Sequence, residues 1–253
     1  MQTDGIAAIV TGGASGLGAA AATLLARGGA RVALFDVDAE RGTAKARELG
    51  GTFTRVDVAD DAGVEEAVAA AEAAHGVARV LVNCAGIAPA SRTVDRGGKP
   101  HPLALFRRAV EVNLIGTFNV LSKFAARLVA AETIGEERGV IVNTASVAAY
   151  DGQIGQAAYG ASKAGVAGMT LPVARDLAQH AIRVVTIAPG IFVTPMLEGL
   201  PQEVRDSLGK QVPFPSRLGR PEEYARLVAA IVANPMLNGE TIRLDGAIRM
   251  GPK

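Results

Sequence analysis

Tryptophan is absent from this chain of 253 residues, cysteine occurs once, and aromatic residues make up only 4%. The lone thiol, Cys84, closes no disulfide within the chain and suits a reducing compartment. It also leaves no cysteine-based zinc site, so no metal is expected. With so few aromatics there is no stacking platform for single-stranded nucleic acid. An excess of one charge is missing too. Lys and Arg number 26 against 25 Asp and Glu, a formal charge of +1, and no basic cluster stands out to attract nucleic acid or an anionic membrane. No apolar run approaches the roughly twenty residues of a membrane span. The first, Ile6–Val10, is short, and no basic segment of signal type precedes it. Together these absences predict a soluble cytoplasmic protein with neither nucleic acid nor membrane as partner.

Core-forming material is plentiful: 49% of residues are hydrophobic and 20% charged, which suits one large α/β domain spanning 1–253. Short apolar runs predict strands at Ile6–Thr11, Arg31–Asp36, Thr52–Val56, Arg79–Asn83, Gly139–Thr144, Arg183–Ala188 and Thr241–Leu244. Helical patterns alternate with them at Leu17–Arg27, Ala39–Leu49, Val64–His75, Leu103–Ala131, Ala157–Gln179 and Pro221–Ala233. The region Leu103–Ala131 is long enough for two helices or a bend, and Pro172 is expected to bend the sixth helix. This alternation predicts a doubly wound parallel sheet of about seven strands with helices on both faces. Pro89–Pro102 and Thr194–Ser216 read as long loops following strands, near the carboxyl edge where such sheets bind ligands.

The first strand runs into Thr11-Gly-Gly-Ala-Ser-Gly-Leu-Gly18, which opens the first helix. Gly12, Gly16 and Gly18 leave bare backbone where a pyrophosphate can rest on a helix N-terminus. The strand–turn–helix setting makes this a dinucleotide turn and the fold a single-domain Rossmann fold. Asp36 ends the second strand, where a carboxylate accepts hydrogen bonds from the adenosine ribose and repels the extra phosphate of NADP, so NAD is the expected cofactor. Asp57 ends the third strand and reads either as an adenine contact or as a helix cap. Asn83, Cys84, Ala85 and Gly86 end the fourth strand with small residues across which a cofactor can lie.

Tyr159 and Lys163 stand at i and i+4, on one face of a helix. A free phenol titrates near 10, so general-base work at neutral pH needs roughly 4 kcal/mol of help, here expected from the ammonium and the positive ring of the oxidised cofactor. Ser146 ends the fifth strand, 13 residues before the tyrosine, and can hold a substrate oxygen beside it. Asn113 can place a water in a proton relay, through its side chain or a distorted backbone. His75, His101 and His180 sit at helix ends or in loops and receive no catalytic role. The Thr194–Ser216 segment, with apolar Met196, Leu197, Leu200, Val212 and Phe214, is expected to act as a substrate lid, with Leu200 against the substrate.

These motifs together resemble the short-chain dehydrogenase/reductase family, from Thr11 to the closing Asn238-Gly-Glu-Thr-Ile-Arg-Leu-Asp-Gly246. Within it, Leu81-Val-Asn-Cys-Ala-Gly-Ile87, Gln211-Val-Pro-Phe-Pro-Ser-Arg-Leu-Gly219 and Arg243-Leu-Asp-Gly-Ala-Ile-Arg-Met250 are similar to the branch that oxidises 3-hydroxyacyl-CoA. The resemblance implies cofactor contacts at Ser15, Leu17, Asp36, Asp57, Val58, Cys84, Tyr159, Lys163, Phe192 and Thr194, with Pro189-Gly190 leading into the carboxamide loop. It implies Ser146 as substrate-binding, Tyr159 as proton carrier and Lys163 as the ribose ligand. It also implies an acyl-CoA substrate and a homotetramer, although the small residues of the sixth helix suit packing inside one chain equally. Competing expectations are a hydroxysteroid or other secondary-alcohol dehydrogenase, a ketoacyl reductase, and a non-catalytic dinucleotide sensor. The last is disfavoured by the presence of both Tyr159 and Lys163.

Overall fold

The aliphatic runs form seven strands in the computed structural model, which describes residues 1–198 and 201–252. They are β1 (Ala7–Thr11), β2 (Arg31–Asp36), β3 (Thr52–Arg55), β4 (Ala78–Asn83), β5 (Gly139–Thr144), β6 (Ile182–Pro189) and β7 (Thr241–Leu244). All pair in parallel, in the order β3-β2-β1-β4-β5-β6-β7. Every residue of β1, β5 and β6 is buried. Strands covered by helices on both faces need apolar side chains at successive positions, hence the unbroken aliphatic runs.

One face of the sheet packs under α1 (Gly16–Arg27), α2 (Ala39–Leu49) and α9 (Pro221–Ala233), around Val10, Leu34, Val142 and Ile187. The other packs under α3 (Asp61–His75), α5 (Gly116–Val129) and α6 (Ala157–Ala178), around Ile9, Leu81, Phe124 and Ile141. After β1 the chain winds outward through β2 and β3, then returns to pair β4 on the other side of β1. The crevice between the carboxyl ends of β1 and β4 is therefore the ligand position for a sheet of this topology.

The region Leu103–Ala131 resolves into α4 (Leu103–Val110), a π-helical turn at Glu111–Ile115, and α5. α6 continues through Pro172 to Ala178. The expected loop at Thr194–Ser216 is instead largely helical, with α7 (Pro195–Glu198) and α8 (Gln202–Lys210). Its prolines hid the pattern. Pro195 opens α7 and Pro201 is the N-cap of α8, positions where a missing N–H is tolerated. Leu200 lies outside the described residues. In the Pro89–Pro102 segment a small hairpin forms through a Val94–Pro100 bridge, its turn held by Asp95 Oδ1 accepting from Gly97 N (2.7 Å) and Lys99 N (2.9 Å). Among the described residues, no helix is long and apolar enough to cross a membrane.

Candidate active site

The glycine turn is shaped by close approach. Gly12 has φ +63°, and a Cβ there would stand 2.8 Å from the backbone of Cys84 and Ala85. A Cβ on Gly18 would collide with the Gly12 carbonyl. The Thr11 hydroxyl stitches the turn to the end of β4, accepting from Cys84 N (3.1 Å) and Ala85 N (3.2 Å) while donating to Asn83 Oδ1 (3.3 Å). Gly16, at φ +54°, faces Thr194 and Pro195 across the opening. Ser15, the N-cap of α1, makes no side-chain capping bond, so the N–H groups of the first turn are left facing the cleft.

This turn borders a cleft of about 630 Å³ along the carboxyl edge of the sheet. At its outer end Asp36 is held by Ala14 N on Oδ2 and Asp38 N on Oδ1, both 3.1 Å. Asp57 and Val58 follow. Asp57 is not the helix cap, because Asp60 caps α3 by accepting from Gly63 N. Instead its Oδ2 pairs with Arg108 Nη2 at 2.8 Å and its Oδ1 accepts from Ala59 N. The hydrogen bond from Arg108 holds its carboxyl below the usual range, against the opposing effect of burial. Along the floor lie Ser15, Leu17, Cys84, Ala85 and Gly86, and the end of β6 brings Pro189, Gly190, Phe192 and Thr194 to the opposite wall.

Ser146, Tyr159 and Lys163 converge at the inner end. Ser146 leaves β5 in extended conformation and caps a short 3-10 turn, Val147–Ala149, by accepting from Ala148 N. Tyr159 lies in the first turn of α6 and Lys163 one turn further on. The lysine Nζ is 6.0 Å from the tyrosine ring centre and donates to the Thr144 carbonyl at 2.8 Å. Burial pushes the ammonium down to about 8. It pushes the Tyr159 phenol up, with the Ser146 hydroxyl drawing it back. The expected lowering of Tyr159 by Lys163 is thus not a property of the chain alone: both groups are desolvated, and the ammonium is committed to a backbone carbonyl.

Two residues assigned to the site stand behind its wall. Asn83 turns between the strands, donating to Asn143 Oδ1 (3.0 Å), because its neighbours at that register are Thr11 and Asn143. Asn113 is fully buried in the π-helical turn. Its amide donates to Ile87 O (2.8 Å) and Ser162 Oγ (2.9 Å), and its oxygen accepts from Ile87 N (2.8 Å). Both amide protons are used, so its side chain fixes the Gly86–Ile87 wall and the distorted backbone is what remains for a water relay. Of the apolar residues expected to form a lid, Leu197 lines the cleft, Val212 is buried under Gly246, and Phe214 is 82% exposed away from it.

A family model described as short chain dehydrogenase matches residues 6–205. The chain belongs to the short-chain dehydrogenase family. Human 3-hydroxyacyl-CoA dehydrogenase type-2 is 55% identical over 255 aligned positions, which cover 99% of this chain and 98% of the human one. The Drosophila melanogaster protein of the same name is 53% identical, covering 96% and 97%. The crystal structure of 3-hydroxyacyl-CoA dehydrogenase type-2 from Mycobacterium avium is 44% identical, with a TM-score of 0.95 and coverage of 98% of each chain.

The cleft of this short-chain dehydrogenase suits a nicotinamide dinucleotide on its own geometry: a bare helix N-terminus, glycines where the backbone closes in, a carboxylate at the outer end and a Ser-Tyr-Lys cluster at the inner end. Its remaining walls come from residues to which no site role was assigned from the sequence. Gln153 and Gln156 follow β5, Leu208 belongs to α8, and Met250 lies in the C-terminal segment. Gln153 Nε2 donates to Gly251 O (3.1 Å) and Ile154 N to Pro252 O (3.0 Å), which straps that segment over the site. Tertiary packing alone brings these residues to the cleft.

Proposed function

We propose that this short-chain dehydrogenase interconverts 3-hydroxyacyl-CoA and 3-oxoacyl-CoA with NAD. The observation that carries the substrate class is identity of more than half the residues, along the whole chain, to proteins named 3-hydroxyacyl-CoA dehydrogenase type-2. A charge pattern at the cleft mouth supports it. Ala88 lines the cleft, and the hairpin beyond it is tied to the cleft rim by Ser91 N donating to Gly155 O. That hairpin exposes Arg92, Arg96 and Lys99 against a single acid, Asp95, whose carboxylate is turned to its own backbone. Such a cationic finger suits the phosphates of coenzyme A. Apolar Leu197, Leu208 and Met250 offer an acyl slot beside Tyr159.

NAD as the preferred form follows from Asp36. Among the described residues no cation bonds its carboxylate, and both oxygens accept backbone N–H groups, so a ribose phosphate would meet an unneutralised charge. When bound, the nicotinamide accepts or returns the hydride. Ser146 holds the substrate oxygen, Tyr159 takes its proton in oxidation and returns it in reduction, and Lys163 fixes the ribose and supplies positive charge. The chain is read as cytoplasmic from its lone thiol. It is also read as a homotetramer, since Ile115, Phe118 and Leu171 leave exposed apolar surface on the helices of one face.

The test is kinetic. Efficiency is measured for 3-hydroxybutyryl-CoA, free 3-hydroxybutyrate and a steroid alcohol, in the unmodified enzyme and in Leu208→Asp. A large preference for the CoA ester that falls in the variant, with NAD affinity unchanged, is the expected outcome. Indifference to the CoA group would return the chain to a secondary-alcohol dehydrogenase of other specificity.

A further inference from the structure

Behind the catalytic lysine a hydrogen-bonded cluster runs from Cys84, on the cleft floor, to the far face of the sheet, where the reaction described above uses no group. Tyr224, on α9, is fully buried on the sheet face opposite α6, and its hydroxyl is 2.8 Å from Thr144 Oγ1. Thr144 Oγ1 is also 2.6 Å from the Asn83 carbonyl. Cys84 Sγ lies 3.4 Å from the Tyr224 oxygen. The proton directions follow from chemistry. The Asn83 carbonyl only accepts, so the single Thr144 hydroxyl proton goes to it. Thr144 must then accept from Tyr224, and Tyr224 accepts from the Cys84 thiol. The result is a directed chain from Cys84 through Tyr224 and Thr144 to Asn83, which pins the last residue of β5 to the last residue of β4.

Thr144 is also the residue whose backbone carbonyl holds Lys163 Nζ at 2.8 Å. Its side chain is gripped from one face of the sheet while its carbonyl orients the ammonium on the other. We infer that Tyr224 is a positioning residue for the reaction: by fixing Thr144 it aims the carbonyl that places Lys163 under Tyr159. A side chain on the sheet face opposite α6 thereby sets the geometry of the proton-transfer end. The inference rests on the assignment of Lys163 and Tyr159 as the catalytic pair. Among the described residues, the titratable groups facing Lys163 are Tyr159 on its own helix and Cys84 on the β4 end, with Tyr224 behind Cys84.

The experiment compares Tyr224→Phe, which removes one oxygen and keeps the ring, with Thr144→Val, Thr144→Ser and the double variant Tyr224→Phe/Thr144→Val, in the full-length enzyme. Tyr224→Phe is expected to lower kcat several-fold to about thirty-fold, leave KM and NAD affinity within about two-fold, and raise the acid limb of the oxidation pH profile, because a less well placed ammonium favours the phenolate less. Thr144→Val should do the same, Thr144→Ser should retain activity, and the double variant should be no worse than the poorer single one, since both act through one bond. A Tyr224→Phe enzyme with a lowered Tm but unchanged kcat and pH profile would overturn the inference, as would additive losses in the double variant. If Tyr224→Phe does not fold, equal activity of Thr144→Val and Thr144→Ser overturns it. A Tyr159→Phe control separates the two levels. If that control keeps its turnover, the catalytic assignment falls and the inference with it; if it is inactive, an unaffected Tyr224→Phe removes the role of Tyr224 alone.

Discussion

Replacing Lys163 by methionine should make the cofactor-free protein more stable while abolishing its turnover. The side chain is 5% exposed and its ammonium has been moved from water into a cleft wall where, among the described residues, only the Thr144 carbonyl is bonded to it. Burial lowers its pKa from 10.5 to about 8, which corresponds to about 3 kcal/mol of native-state destabilisation at 1.36 kcal/mol per unit. Methionine fills nearly the same volume without the charge, but leaves the Thr144 carbonyl unpaired at a cost of about 1 kcal/mol. The net gain at pH 7 is about 2 kcal/mol, or roughly 5 °C in Tm for a chain of this size. The sign of the pH dependence is fixed. Between pH 8 and 10.5 the unfolded lysine keeps its proton while the folded one has lost it, so the unmodified protein gains stability as pH rises through that window. The variant lacks this gain, and the Tm gap should therefore close from pH 8 upward. Thermal unfolding from pH 7 to 10 measures it. A variant less stable at pH 7, or a gap that does not change with pH, would refute the picture of a strained, desolvated ammonium.

Tyr159→Phe is expected to keep its Tm and its NAD affinity while losing nearly all turnover, because the ring still packs and only the transferable proton is gone; steady-state rates and cofactor titration check this. Asp36→Ala should weaken NAD binding by about 1–3 kcal/mol and narrow the preference over NADP, since two backbone N–H groups lose their acceptor and the repelling charge disappears, as parallel titrations with both cofactors will read. Thr11→Val leaves the N–H of Ala85 without its acceptor and that of Cys84 with the Thr11 carbonyl alone, so a loss of about 1–3 kcal/mol in stability should appear in denaturant unfolding, together with weaker dinucleotide binding.

The sequence by itself determined the class of architecture and which polar residues gather at its cleft. Seven aliphatic runs alternating with helical periods admit little besides a parallel sheet covered on both faces, and β2, β5 and β7 begin and end where their patterns do. The glycine turn, Asp36, Ser146 and the Tyr159–Lys163 pair were legible because each carries a local constraint: bare backbone, a charge at a strand end, or a spacing of one helical turn. Only the tertiary structure decided what lies between distant segments. Asn83 and Asn113 carry the right atoms for a ligand, yet neighbouring strands and the Ile87 backbone take up their hydrogen bonds. Arg183 sits inside β6, where a strand pattern alone would turn a cation to water. It is buried against Glu137 at 2.6 Å and donates to the carbonyls of Ile231, Val232 and Leu237. Gln153, Leu208 and Met250 reach the cleft from three separate parts of the chain. The bond between Tyr224 and Thr144 spans 80 residues. Short-range periodicity reports which face of an element is apolar; it holds no information about which polar atom will find its partner across the sheet.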